Sequence, residues 1–242
     1  MKPIQKILGV LAVFIMMAGC AEMEKITQNL QSSMNAGGDP TSRIIAGLKE
    51  ALSIGTGNAV IDVSKAGGYF RNQAIKILLP PEIQKTANAL RSFGFGKVVD
   101  DFERSMNSAA EKAAPQAKAI FLDAVTQMSF DDARRILNGP DTAATDYLKK
   151  TTSRRLADLF RPIVTDAMNQ VGVTRTYKQM VAPLKTLPIA APVPVDLDGY
   201  VTGKALDGLF YMVAEEEKKI RRDPAARVTE LLKDVFGKMR GK

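Results

Sequence analysis

The sequence has no histidine, no tryptophan and one cysteine, Cys20. Without histidine there can be no Ser–His–Asp triad, no Cys–His pair and no ordinary zinc site. With one thiol no disulfide closes within the chain, so an oxidising compartment is permitted but not exploited. Aromatic residues make up only 6% of the chain, so Leu, Ile, Val, Met and Ala must fill the interior. Eleven methionines favour a soft, adaptable core. Binding of a hard cation by carboxylates and Lys or carboxylate chemistry remain open. No cofactor or metal constellation stands out.

What is present begins with an address. Lys2 and Lys6 precede an apolar run from Ile7 to Met17, eleven residues interrupted only by Gly9. A membrane-crossing helix needs roughly 20 apolar residues, so the run reads as the core of a secretion signal and not as a permanent span. Met17-Ala18-Gly19-Cys20 resembles the bacterial lipobox, with Met where Leu is commoner. That resemblance implies a diacylated Cys20 thiol, cleavage before it and acylation of the new amino group. More than one acyl chain gives stable anchoring where a single chain holds only marginally. Ala21 in place of Asp points to the outer membrane, periplasmic side, over the inner membrane. The expected organisation is a signal peptide over 1–19, a lipidated tether over 20–39 and a single helical domain over 40–242.

Removing residues 1–19 takes away two lysines and no acid, leaving the mature side chains at +6. That mild excess suits anionic headgroups or envelope polymers, and secretion argues against nucleic acid. The composition of the whole chain, 45% hydrophobic and 25% charged, is globular, and the length suits one core.

Periodicity along the mature chain predicts an all-α fold of about nine helices. Asp39-Pro40 looks like a cap and first-turn proline for a helix reaching Lys65, with Gly55 and Gly57 inside it and Gly67-Gly68 at its end. Tyr69-Phe70 follow as a hydrophobic plug. Ile75, Ile77 and Leu79 alternate before Pro80-Pro81, as a short strand or extended arm would, which suggests a minor strand pair near 74–79 and 191–195. Further helices are expected over 82–92, 97–112 and 115–128, and a short one after Ser129 ends at Asn138-Gly139. A long helix over 142–169 is expected to kink or break near Phe160 because of Pro162. A helix over 174–184, an extended Pro183–Pro194 segment, a helix opened by Asp196 and a last helix to Lys238 complete the chain.

Several stretches carry a family resemblance: Gly47-Leu48-Lys49-Glu50-Ala51-Leu52, Gly68-Tyr69-Phe70, Phe102-Glu103-Arg104-Ser105-Met106-Asn107, Asp141-Thr142-Ala143-Ala144-Thr145, Val171-Gly172-Val173-Thr174 and Ala205-Leu206-Asp207-Gly208-Leu209-Phe210. Over about Thr41 to Phe236 they resemble the domain-of-unknown-function family 4197, bacterial secreted or lipid-anchored proteins. The resemblance implies the compartment and a conserved fold, and brings no activity, substrate, cofactor or catalytic residue.

Five groups of residues stand out. Glu103, Asn107 and Glu111 fall at i, i+4 and i+8 on one helix face, as a ligand- or cation-binding stripe or as a solvated or hydrogen-bonding strip. Asp207 stands in the most apolar helical stretch, with Lys204 three residues before it and Arg154 or Arg155 within possible reach; it reads as a buried acid suited to proton transfer, or as a structural ion pair. Asp141, Thr142 and Thr145 offer a helix start that binds phosphate or carboxylate, unless Asp141 itself is the cap. Glu215 with Lys219 and Glu217 with Arg221 look like a solvent-facing lattice of ion pairs, and Lys149, Lys150, Arg154 and Arg155 form the best basic cluster. The leading functional expectation is a non-enzymatic binding or structural module in the envelope, partnered by the membrane through its lipid and by an envelope protein. The second is a carrier of a lipid or other apolar ligand, in a cavity near Gly55, Gly57 and Phe210 with Asp207 and Lys204 at its polar end. The third is a carboxylate-based hydrolase or transferase using Asp207 and Glu103.

The address makes a direct prediction. Mass spectrometry of the native product should find residues 1–19 gone and Cys20 lipidated, and Cys20→Ala should release the protein into the soluble fraction. An unmodified thiol in the wild-type product would refute the lipobox reading.

Overall fold

The computed structural model describes residues 40–186, 195–223, 229 and 233. The expected tether, residues 187–194 and, apart from 229 and 233, the last helix fall outside the described residues; the Pro183–Pro194 segment, expected to be extended, begins instead in a 3₁₀ turn, because Pro183 fits the first turn of a helix. The chain divides at Gly47/Leu48 into two units; of the first, only residues 40–47 are described, the opening turns of a helix.

The described residues form eight α-helices: α1 Pro40–Ser64, α2 Pro81–Ser92, α3 Gly96–Ala113, α4 Ala117–Thr126, α5 Phe130–Leu137, α6 Ala143–Val171, α7 Val173–Val181 and α8 Leu197–Arg222. Single 3₁₀ turns, Ala114–Gln116 and Ala182–Lys185, join α3 to α4 and follow α7. The all-α expectation is met. The expected strand pair is not: no strand occurs among the described residues, and residues 191–194 lie outside them. Residues 76–80 are nevertheless extended. Ile75, Ile77 and Leu79 are buried while Leu78 is 58% exposed, so the alternation is real without a sheet.

Local chemistry sets the boundaries. Gly67 is left-handed at φ +83° just past the end of α1. A Cβ on Gly68 would stand 2.5 Å from the carbonyl oxygens of Asp62 and Val63, so only glycine lets the chain fold back over that helix end. Ser129 and Asp132 form a reciprocal capping box at α5, the Ser129 Oγ accepting from the Asp132 N–H at 3.1 Å. The Ser129 hydroxyl foremost, with Arg135 after it, holds the Asp132 carboxyl below its usual range. Asp196 caps α8 by accepting from the Gly199 N–H at 3.0 Å. Pro162 does not break α6, which runs unbroken through 29 residues. Leu156, Phe160, Val164 and Met168 are buried on both sides of the proline and hold the helix together across the missing hydrogen bond.

In the unit beginning at Leu48, α6 packs against α8 and α3. Val99, Phe102, Met106, Leu148, Leu156 and Leu209 are among its fully buried side chains. Aromatic contacts join distant elements: Phe102 meets Tyr177 at 5.4 Å and Phe121 meets Phe210 edge-on at 5.8 Å. The stretch Ser42–Ser64 is long and apolar enough to cross a membrane, but half of it is buried, which also fits a core helix.

The turn after α1 packs closely on α8. A Cβ on Gly208 would come within 2.7 Å of the Tyr69 ring and 3.1 Å of Ile75. Because Tyr69 is completely buried, the ring cannot swing aside. Gly208→Ala should therefore cost about 1–3 kcal/mol by overpacking, visible as a lowered midpoint in denaturant unfolding. Gly57→Ala, where a Cβ meets nothing within 4 Å, should cost nothing and should gain helix propensity.

Candidate functional site

The stripe on α3 is a backbone clamp. Glu103, Asn107 and Glu111 face the segment that returns from α1 to α2, and all three are buried. Asn107 behaves as a strand partner one residue long. Its Oδ1 accepts from the Ile77 N–H at 2.8 Å, and its Nδ2 donates to the carbonyls of Ile77 and Glu103, each at 2.8 Å. Glu111 accepts from the N–H groups of Gly67, Tyr69 and Phe70 at 3.1, 3.1 and 3.2 Å. Amides converging around a left-handed glycine make an anion-binding nest, and here the anion is the chain's own. Glu103 pairs with Lys76 at 2.5 Å and stands 3.7 Å from Arg91. Lys76 and Arg104 also sit over the Phe70 ring, at 4.7 and 4.4 Å from its centre.

Tyr69 carries the clamp across to α8, its hydroxyl donating to the Ala205 carbonyl at 2.7 Å. Burial, and after it the Glu111 charge, pushes the phenol far above its ordinary value, so it remains a donor.

The helix start at residues 141–145 also binds a carboxylate, and again it is internal. Glu217 of α8 accepts from the Ala144 and Thr145 N–H groups at 3.0 and 2.8 Å and from the Thr145 hydroxyl at 2.8 Å. It thereby replaces the missing cap at the positive end of α6. The expectation that Asp141 caps this helix is wrong: Thr142 holds the cap position without a capping side-chain hydrogen bond, and Asp141 accepts from Arg222 Nε at 2.8 Å. The solvent-facing lattice is also corrected. Glu217 and Arg221 do pair, at 2.9 Å, but Glu217 is buried and Arg221 half-buried, and Arg221 donates to the Ile136 carbonyl at the end of α5. Glu215 pairs with Lys218 instead of Lys219, and the buried Glu216 accepts from Asn58 at 2.9 Å. Sequence reasoning passed over Glu216 and placed Glu217 on a solvent face, whereas both are buried. Position 217 lies four residues after Val213 and three before Ile220, on the buried face of α8, and that spacing was the available signal.

Asp207 is not buried. Its side chain is 65% exposed and its partner is Lys204 at 3.8 Å, a loose contact between two solvated groups. Arg155 pairs with Asp123 and Arg154 is exposed, so neither reaches it. The apolar neighbours of Asp207 occupy the inward face of α8, and Asp207 the outward one.

The cavity foreseen near Gly55 and Phe210 is filled. The pocket beside Gly55, lined also by Leu52, Ala144, Val213 and Ile220, holds about 20 Å³, room for about one water. The concavity that does touch Asp207 is an open groove of about 860 Å³ between the 74–81 arm, α2 and α8. Leu78 and Tyr211, 58% and 45% exposed, give it apolar surface, and Lys76, Lys85 and Lys204 outnumber Asp207 along it. Among the described residues no cluster of three or more Asp, Glu, His or Cys is placed to hold a metal.

Residues 40–237 match the profile of a family described as a protein of unknown function (DUF4197). No curated protein and no solved structure matches the chain.

The clamp is open to test by unfolding. Asn107→Leu strips the buried Ile77 N–H and C=O of partners and should cost about 3 kcal/mol or more, at about 1–3 kcal/mol for each buried group left unpaired. Glu217→Ala, which uncaps α6 and takes the carboxylate from the half-buried Arg221, should cost about 3 kcal/mol. Asp141→Ala should be near neutral, because it removes only an exposed pair.

Proposed function

The chain belongs to the DUF4197 family, and on that premise, which carries no assigned activity, we propose that it is a lipid-anchored binding module facing the periplasm. One observation supports this above others. The carboxylates that would serve chemistry, Glu103, Glu111 and Glu217, are engaged with the chain's own cations and backbone, whereas the groove beside Leu78 and Tyr211 keeps apolar surface open to solvent. A concave site with apolar walls and a few charged groups on its rim is the usual form of a binding surface. The lipobox at Met17–Cys20 supplies the membrane address, and Ala21 favours the outer membrane.

The carrier reading moves to the same groove. Its enclosed version has no support at Gly55, where the space is one water in size. The hydrolase reading has less still: Asp207 is solvated and Glu103 is tied to Lys76, so no pair of free acids converges.

Site-specific photo-crosslinking in intact envelopes tests the binding module. A benzoylphenylalanine placed at Tyr211 should give discrete adducts, and the same group at the exposed Lys118 on α4 should not. Equal labelling from both positions, or none from Tyr211, would overturn the reading.

A further inference from the structure

We propose that the groove takes an extended acidic peptide segment, added as a short strand beside Lys76–Pro80. The inference rests on the binding-module reading above and names its partner.

An extended chain turns the N–H and C=O of successive residues to opposite edges. Ile77 turns both toward α3, where Asn107 takes them. Lys76 and Leu78 turn theirs to the other edge, along the groove they line. On that edge the Lys76 N–H is used by the Asn72 carbonyl, and the Leu78 carbonyl accepts from the Tyr200 hydroxyl at 3.0 Å. Among the described residues nothing pairs with the Lys76 carbonyl or the Leu78 N–H. An acceptor and a donor separated by one residue are the two halves of a strand bridge. A residue laid beside Ile77 donates its N–H to Lys76 and accepts at its carbonyl from Leu78. Asn107 thus satisfies one edge of the arm and leaves the other ready for a second chain.

Side chains set the chemistry of that chain. The groove carries Lys85 and Lys204 against Asp207, while its third lysine, Lys76, is already held by Glu103 at 2.5 Å. Lys85 has no ion pair among the described residues, and Lys204 meets Asp207 only at 3.8 Å. An incoming strand whose alternate residues are acidic meets these ammonium groups, while its intervening apolar residues lie against Leu78 and Tyr211. The arm from Lys76 to Pro80 gives room for about five residues at about 3.3 Å each.

The test uses the full mature chain carrying Cys20→Ala, so that it stays in water, and the probe acetyl-Glu-Val-Glu-Val-Glu-amide. Fluorescence anisotropy should show this peptide binding at least ten-fold tighter than its all-Lys counterpart and than the same peptide N-methylated at the central Glu. Lys85→Glu should weaken it at least five-fold with no change in melting temperature, and hydrogen exchange at the Leu78 amide should slow several-fold on binding. Equal binding of the N-methylated peptide, or an unprotected Leu78 amide, would overturn strand addition. Laurate binding where no peptide binds would make the occupant an apolar acid and refute the peptide. Adducts at Tyr211 with every peptide inert would sink this inference alone, whereas loss of those adducts would sink the binding module beneath it.

Discussion

Everything in the unit after Gly47 is arranged around how one stretch without regular structure is satisfied. Between α1 and α2 the backbone crosses buried territory with no helix to consume its polar groups, and each unpaired N–H or C=O there would cost about 1–3 kcal/mol. Asn107 and Glu111 meet that demand from one face of α3. Once the segment is pinned, Tyr69 is directed at the Ala205 carbonyl, and α8 can approach only where Gly208 leaves room for the ring. The position of α8 then brings Glu217 to the start of α6. The clamp, the aromatic plug and the borrowed cap are successive consequences of one hydrogen-bonding requirement.

Both anion sites in the fold are filled from within. The amide nest after α1 holds Glu111, and the N-terminal amides of α6 hold Glu217. Each is a place where a phosphate or an external carboxylate would otherwise be welcome. With those positions taken, neither is open to an outside anion, and the groove between the 74–81 arm, α2 and α8 lies on the outer surface. There the lysines of the groove exceed its acids, in keeping with the chain's overall basic balance.

Much of this was legible in the residues. Pro40, the Ser129–Asp132 box, Asp196 and Gly67-Gly68 are local signals, and the helix boundaries followed them closely because a cap acts within one turn. The i, i+4, i+8 spacing of Glu103, Asn107 and Glu111 was visible too. Its purpose was not, because the partner is irregular backbone, which leaves no periodic trace. Alternation at Ile75, Ile77 and Leu79 gave the burial pattern but not the partner, since an asparagine side chain can stand in for a strand. Asp207 and Glu217 were exchanged for a single reason. Apolar neighbours in sequence describe a helix as a whole, whereas burial depends on the face. Asp207 shares its face with Lys204 and Tyr211, and Glu217 shares its face with Val213 and Ile220.

The borrowed cap also sets an order of events. Ala144 and Thr145 receive their carboxylate from a residue 73 and 72 positions later, and the Ile136 carbonyl waits 85 positions for Arg221. A chain made amino end first therefore presents the middle of its fold long before the groups that close it. Contacts of such long sequence separation form late and slowly, so the polypeptide stays slack until its final third arrives.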